Sequence, residues 1–216
     1  MEASRLYHLY HRLIRLGFYL LYHQMAWSYE AVAWLVSFGQ WAGWRRLALD
    51  YLPPGPTLEL AYGTGVFFAD MLAAGRQAVG LDLSPYMARQ AVRRLNRQGY
   101  DSRLCQANAE AIPFPANTFS GLVATFPTDY IFRPRTLSEA YRVLRPGGRL
   151  VIVVEGVLRG PRPLNAVLDW LYRVTGQRTL PEDRPRRQME AYGFRADWAL
   201  AGDEKIQARL LVAEKK

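Results

Sequence analysis

Two carboxylates and a run of small residues between them are the groups in this chain best placed to do chemistry. Glu59 ends one apolar run, Ala61, Gly63 and Gly65 form a small-residue turn, and Asp82 ends a second apolar run. The order reads as strand, glycine loop, helix, strand, with an acid at the end of each strand. A parallel β-α-β unit brings such ends to one edge of a sheet, where open α/β sheets bind ligands. Glycines let a ligand approach the backbone, and a carboxylate at position 82 can accept hydrogen bonds from two ribose hydroxyls. The pattern predicts a cofactor of the adenosine type.

The loop also says which adenosine compounds do not fit. A dinucleotide site asks for G-x-G-x-x-G, the third glycine allowing close packing of helix on strand. Here Gly63-Thr64-Gly65 is followed by Phe68 at the third position, and no G-K-[ST] of a phosphate loop is present. A nucleoside cofactor without phosphates remains, and S-adenosylmethionine fits. No His, Cys and carboxylate spacing suggests a metal site.

The elements that must position this edge follow from the apolar runs and their punctuation. The 216 residues suit one α/β domain with an extension, and 50% hydrophobic content supplies a core. Pro53-Pro54-Gly55-Pro56 marks a boundary, giving an N-terminal helical lid or extension over 1–52 and a cofactor domain over 53–216. Strands are expected at Thr57–Ala61, Ala78–Asp82, Ser102–Gln106, Gly121–Phe126 and Arg149–Glu155. Helices are expected at Val66–Ala74, from the Ser84-Pro85 cap to Gln98, and at Pro134–Leu144. Arg145-Pro146-Gly147-Gly148 reads as a stop and turn. A Pro- and Arg-rich stretch runs from Gly156 to Arg187, with an amphipathic helix at Leu164–Val174. Two last strands are expected at Arg195–Ala201 and Gln207–Ala213. The alternation predicts a doubly wound, Rossmann-like and mostly parallel α/β sheet.

Residues 1–50 read as helices rich in aromatic side chains. No run reaches the roughly 18 apolar residues a membrane span needs. Arg5, Arg12 and Arg15 alternate with Leu6, Leu9, Leu13, Ile14 and Leu16, so the first helix is basic and amphipathic. It is expected as a lid, with an interfacial helix on a lipid surface as the alternative. Net charge is +9, and only three of the 28 basic residues are lysines, which is a compositional bias before it is a binding signal. Nucleic acid is an unlikely partner on this reading, because no basic and aromatic platform accompanies the charge. One cysteine, Cys105, excludes an internal disulfide and is expected in a strand. With no cleavable signal evident, the expected compartment is the cytoplasm, with membrane association left open. Oligomeric state is not legible.

Four blocks together resemble the class I S-adenosylmethionine-dependent methyltransferases: LELAYGTG (58–65), GLDLSPYM (80–87), NAEAIPFPANTFS (108–120) and LSEAYRVLRPGGRLVIVVE (137–155). The resemblance implies a seven-stranded sheet whose last strands form an antiparallel hairpin. Further upstream, Tyr29-Glu30, Ser37-Phe38-Gly39 and Trp44-Arg45-Arg46 are similar to the first segment of the ubiquinone/menaquinone-biosynthesis C-methyltransferases. The likeness is broken at Ala33, at Trp41-Ala42 and at Phe126-Pro127-Thr128-Asp129-Tyr130, which points to a relative with a different acceptor.

The resemblance also implies roles. Glu59 steadies the methionine amino end; Ala61, Tyr62, Gly63 and Gly65 form the loop, with the two glycines leaving room for the methionine chain. Asp82 holds the ribose. Leu83 and Met87 pack near the adenine, and Asn108, with Ala109 and Glu110 beside it, meets the adenine amine. Thr125 and Phe126 face the sulfonium, and Tyr29 closes over the cofactor. Asp129 and Tyr130 are the candidate bases near the end of strand four. His8, His11 and His23 are expected on helix surfaces. Three positions depart from the family: Ala61 for the first loop glycine, Asn108 for an aspartate and Ser120 for an aspartate. Alanine suits position 61 only if its backbone does not need positive φ.

The expected function is methyl transfer from S-adenosylmethionine to a small apolar or amphipathic acceptor, quinone-like or lipid-like. Alternatives are an RNA- or protein-modifying methyltransferase and a non-catalytic protein that binds the cofactor or a membrane surface.

Overall fold

A computed structural model of the chain describes residues 37, 39–157 and 183–216. Tyr29, the three histidines, the first amphipathic helix and the helix expected at Leu164–Val174 lie outside the described residues.

The elements run α1 (Trp41–Arg46), a 3-10 turn (Leu47–Tyr51), β1 (Thr57–Leu60), α2 (Val66–Ala73), β2 (Ala78–Asp82), α3 (Pro85–Arg97) and β3 (Leu104–Gln106). They continue with β4 (Phe119–Thr125), a 3-10 turn (Asp129–Phe132), α4 (Pro134–Val143), β5 (Leu144–Val157), α5 (Asp183–Ala191), β6 (Phe194–Gly202) and β7 (Gln207–Lys215). The seven strands form one sheet in the order β3-β2-β1-β4-β5-β7-β6. Pairing is parallel from β3 through β5, whereas β7 runs antiparallel to β5 and β6 antiparallel to β7. The hairpin implied by the family resemblance is therefore present.

Both faces of the parallel strands are covered, which is why they read as continuous apolar runs. Leu122 and Ala124 of β4 join a cluster with Ile131, Leu137 and Met189 on one face. Val123, between them, joins Trp44, Phe67, Phe68 and Val151 on the other, as the two-residue period of a strand requires. The 3-10 turn after α1 is tied to this core by Arg76, whose guanidinium donates to the carbonyls of Leu49, Leu52 and Pro53. The strand order reverses between β1 and β4, so the ligand crevice lies beyond the carboxyl ends of these two strands.

Helix starts and stops follow local chemistry. The Ser84 hydroxyl accepts from the Met87 N–H at 3.3 Å, with Pro85 in the first turn of α3. Several boundaries shift by one or two residues, and three differences from expectation are larger. Strand β3 covers only Leu104–Gln106. The turn Arg145–Gly148 does not precede β5 but bulges within it, since Leu144 already pairs with Phe119 and Arg149 with Gly121. Helix α5 lies at the end of the Pro- and Arg-rich stretch, its proline sitting early in the helix, where the missing N–H costs nothing. Lys215 is buried: its ammonium donates to Asn117 Oδ1 and to the carbonyls of Tyr141 and Leu144. Burial lowers its pKa.

Candidate active site

The loop from β1 to α2 is built by backbone. The Ala61 N–H bonds the Leu81 carbonyl at 2.6 Å, keeping the chain against β2 as it leaves β1. Ala61, Gly63 and Gly65 all have positive φ, at 58°, 57° and 76°. The condition under which alanine would suit position 61, a backbone without positive φ, is therefore not met. An alanine there is strained by roughly 1–2 kcal/mol relative to an ordinary conformation, because its Cβ crowds the carbonyl.

The two glycines do different jobs. A Cβ on Gly63 would meet nothing within 4 Å, so this position faces open space at the edge. A Cβ on Gly65 would stand 2.8 Å from Ala91 Cβ, so Gly65 lets α3 approach α2 closely. The Tyr62 side chain is buried, 2.7 Å from where a Cβ on Gly80 would be, so its ring is a core element. Arg94 of α3 holds the loop from the far side, its Nε donating to the Thr64 carbonyl at 3.1 Å. Nothing in the sequence marked Arg94, which looks like one of several arginines on a solvated helix face.

Asp82 closes the circuit. Its Oδ2 accepts from the Gly63 N–H at 2.8 Å and its Oδ1 from the Ser84 N–H at 2.7 Å. One carboxylate thus fixes both the glycine loop and the start of α3. Burial raises its pKa, and the backbone donors of Ser84, Gly63 and Leu83 oppose that. Beside it Leu83 is 66% exposed, an apolar side chain open at the strand end, whereas Met87 is buried. The Asn108 Oδ1 accepts from the Glu110 N–H at 2.9 Å, which shapes the turn. Ala109 is buried in the core cluster, and Glu110 pairs with Arg133 at 2.7 Å. The following loop is clamped by an ion pair of α4. Glu139 accepts from the Ile112 N–H, while Arg142 bonds Glu139 and the carbonyls of Ile112 and Phe114. Their i, i+3 spacing was the signal available in the sequence.

Glu59 is 1% exposed and its Oε2 has no hydrogen-bond partner. Burial pushes its pKa up to about 8; Arg45 of α1 pulls it down, and Asp82 and Asp70 push it further up. A neighbouring pair, Arg46 with Asp70 at 2.8 Å, ties α1 to α2. A buried acid with a bare oxygen is costly, so a cationic or hydrogen-bonding ligand nearby repays that cost.

At the end of β4 the chain turns sharply. Thr125 is half-buried, and Phe126 has φ 48°. The Phe126 ring stacks on Trp41 at 4.0 Å between centroids and lies edge-on to Trp44. It therefore joins the apolar cluster beneath α1, and its ring is not spare for a sulfonium, as the resemblance implied. In the next turn the Tyr130 hydroxyl donates to the Leu60 carbonyl at 3.3 Å, across the end of β1, and Asp129 is exposed.

A methyltransferase-domain family matches residues 58–152. The demethylmenaquinone methyltransferase of Thermus thermophilus is 36% identical over 167 residues, which cover 74% of each chain. The chain belongs to the class I S-adenosylmethionine-dependent methyltransferases. The enzyme is close to the ubiquinone/menaquinone C-methyltransferase group. The Pasteurella multocida protein of that name is 30% identical over 171 residues, 75% of this chain and 62% of its own length. A Thermotoga maritima structure described as a possible histamine N-methyltransferase shares the fold, with TM-score 0.62, 20% identity and coverage of 88% and 95%. The edge suits S-adenosylmethionine on the enzyme's own geometry: open space at Gly63, a buried carboxylate at Asp82 already oriented by backbone, exposed Leu83 beside it and the bare oxygen of Glu59 below. Among the described residues no group of His, Cys, Asp and Glu could hold a metal, and no helix is long and apolar enough to cross a membrane.

Proposed function

We propose that the enzyme methylates a small quinone-like acceptor, an oxygenated ring carrying an apolar tail. The similarity to demethylmenaquinone methyltransferase over three quarters of both chains carries this reading. On this reading Asp82 holds the ribose, Gly63 gives room for the methionine chain, Glu59 supports its amino end, and Leu83, Asn108, Ala109 and Glu110 border the adenine. When bound, S-adenosylmethionine supplies a methyl group that leaves as its carbon–sulfur bond breaks onto sulfur, and the acceptor gives up one proton in exchange. The protein's part is positioning and desolvation, with a base only for the proton.

Asp129 is the base on this reading, exposed at the turn after β4 and with no hydrogen-bond or ion-pair partner among the described residues. Tyr130, bonded to the Leu60 carbonyl, holds that turn over the end of β1. Cells producing the enzyme, fed methyl-labelled methionine, should place excess label in the lipid-soluble extract. Label confined to the aqueous and macromolecular fractions would exclude this acceptor class.

The basic amphipathic pattern of residues 1–24 supports peripheral contact with an anionic lipid surface, where an acceptor with an apolar tail would reside. The full chain should co-sediment with anionic vesicles at low salt. Equal recovery with neutral vesicles, or none with either, would remove that contact.

A further inference from the structure

A half-open cleft of about 290 Å³ beside the β4 turn is lined by Asp129, Phe132, Arg184, Pro185 and Gln188. Arg184 and Gln188 also border a neighbouring cavity of about 510 Å³ with Asp183 and Arg187. Two elements make the cleft: the 3-10 turn Asp129–Phe132 and the first turns of α5. They are locked together by the Gln188 side-chain amide, which donates to the Phe132 carbonyl, and Pro185 is buried at the seam. The turn that contributes Asp129 and Phe132 to the cleft also carries Tyr130, whose hydroxyl reaches the Leu60 carbonyl at the end of β1.

The charges of α5 are not equivalent. Arg187 pairs with Asp183 at 3.5 Å and Arg186 with Glu190 at 3.9 Å. Arg184 has no hydrogen-bond or ion-pair partner among the described residues, and neither has Asp129, although both line the same cleft. A guanidinium and a carboxylate that share a cleft with the apolar Phe132 and Pro185 suit a flat ring bearing an ionisable hydroxyl: the carboxylate can take its proton and the guanidinium can meet the oxyanion left behind.

Resting on the acceptor reading above, we propose that Arg184 binds the acceptor's ring oxygen as an oxyanion and so raises the nucleophilicity of the ring, while Asp129 takes the hydroxyl proton. The step balances simply: the O–H bond breaks, its electron pair stays on oxygen beside Arg184, and the proton goes to the Asp129 carboxylate. A planar guanidinium offers two parallel donors to one oxyanion, which an ammonium does not. The substrate class is a phenol or hydroquinone, and a ring ether without an ionisable hydroxyl would not be activated.

The test uses 1-naphthol, whose phenol and phenolate absorb at different wavelengths, added to the full-length enzyme with S-adenosylhomocysteine. The wild type should bind it and lower its apparent pKa by about one pH unit or more, the scale an adjacent opposite charge gives. Arg184→Gln should bind S-adenosylhomocysteine as the wild type does but leave the naphthol pKa at its free value. Arg184→Lys, which keeps the charge and serves if the glutamine variant misfolds, should restore part of the shift. Naphthol bound without a shift, or an equal shift in wild type and Arg184→Gln, would overturn the role of Arg184. A parallel assay of methyl transfer to a short-chain demethylmenaquinol separates the two claims. Transfer that is equally fast in wild type and Arg184→Gln leaves the acceptor reading intact and removes this inference, whereas no transfer by a wild type that binds S-adenosylhomocysteine removes the acceptor reading itself.

Discussion

The two sides of the crevice are built in opposite ways. On the β1–β2 side, the groups proposed to meet the cofactor are already engaged with the protein: Asp82 by two backbone N–H groups, Asn108 by a third and the loop itself by Arg94. On the β4–α5 side, Asp129 and Arg184 have no partners among the described residues, and only the backbone beneath them is fixed. A preorganised edge binds one constant molecule with little ordering cost, and an unsatisfied cleft is where acceptor identity is decided. The contrast teaches where to look for specificity: at side chains the fold does not already use.

The largest effect expected from breaking the first side comes at Asp82. Asp82→Ala removes the ribose acceptor and frees the Gly63 and Ser84 N–H groups, so affinity for S-adenosylhomocysteine should fall by about 100-fold or more, on the order of 3 kcal/mol. Calorimetric titration reads this directly, and a loss below about fivefold would mean that the loop does not depend on this carboxylate.

Glu59 gives the next largest effect. Its folded pKa of about 8 lies above the ordinary carboxylate value of 4.5, so the folded form holds a proton that the unfolded chain releases. Stability from this group is full below about pH 4.5 and is lost as pH rises through about 8, at up to about 1.4 kcal/mol per pH unit. Thermal melts of the apo-enzyme should fall in stability between pH 5 and 8, and Glu59→Gln should flatten that fall. Parallel curves for the two proteins would show that Glu59 ionises normally.

A smaller effect sits behind the loop. Arg94→Ala removes the donor to the Thr64 carbonyl without touching ligand, and cofactor affinity should weaken by about fivefold, close to 1 kcal/mol, with the melting temperature little changed. A fall in melting temperature with unchanged affinity would make Arg94 a purely structural residue.

The smallest is at Ala61. Ala61→Gly relieves a left-handed alanine at the cost of added freedom in the unfolded chain, for a net gain of about 0.5 kcal/mol. Denaturant unfolding should show a modestly raised midpoint, and a lowered one would mean that the alanine methyl is used in packing.

The cofactor side was legible in the sequence because backbone geometry leaves marks there: glycines at the turn, acids at strand ends, a serine before a proline. The two acids and the parallel sheet could be read from those marks, and the final hairpin from the family resemblance. What could not be read depends on contacts between distant elements. Gly65 looks like Gly63 until Ala91 is seen against it, and Phe126 looks like a cofactor neighbour until Trp41 stacks on it. Helix α5 was hidden by its proline and arginines, whose helical use depends on burying Pro185 and Met189. Arg184 has no mark at all, being one of several arginines in a basic stretch.

The account rests on an acceptor that is an oxygenated ring with an apolar tail. Purified enzyme should be incubated with methyl-labelled S-adenosylmethionine and a short-chain demethylmenaquinol, and the label followed into the extracted quinone. The account predicts label in the ring product, dependent on Asp82 and saturating with the quinol. Enzyme that binds S-adenosylhomocysteine yet leaves the quinol unlabelled would contradict it.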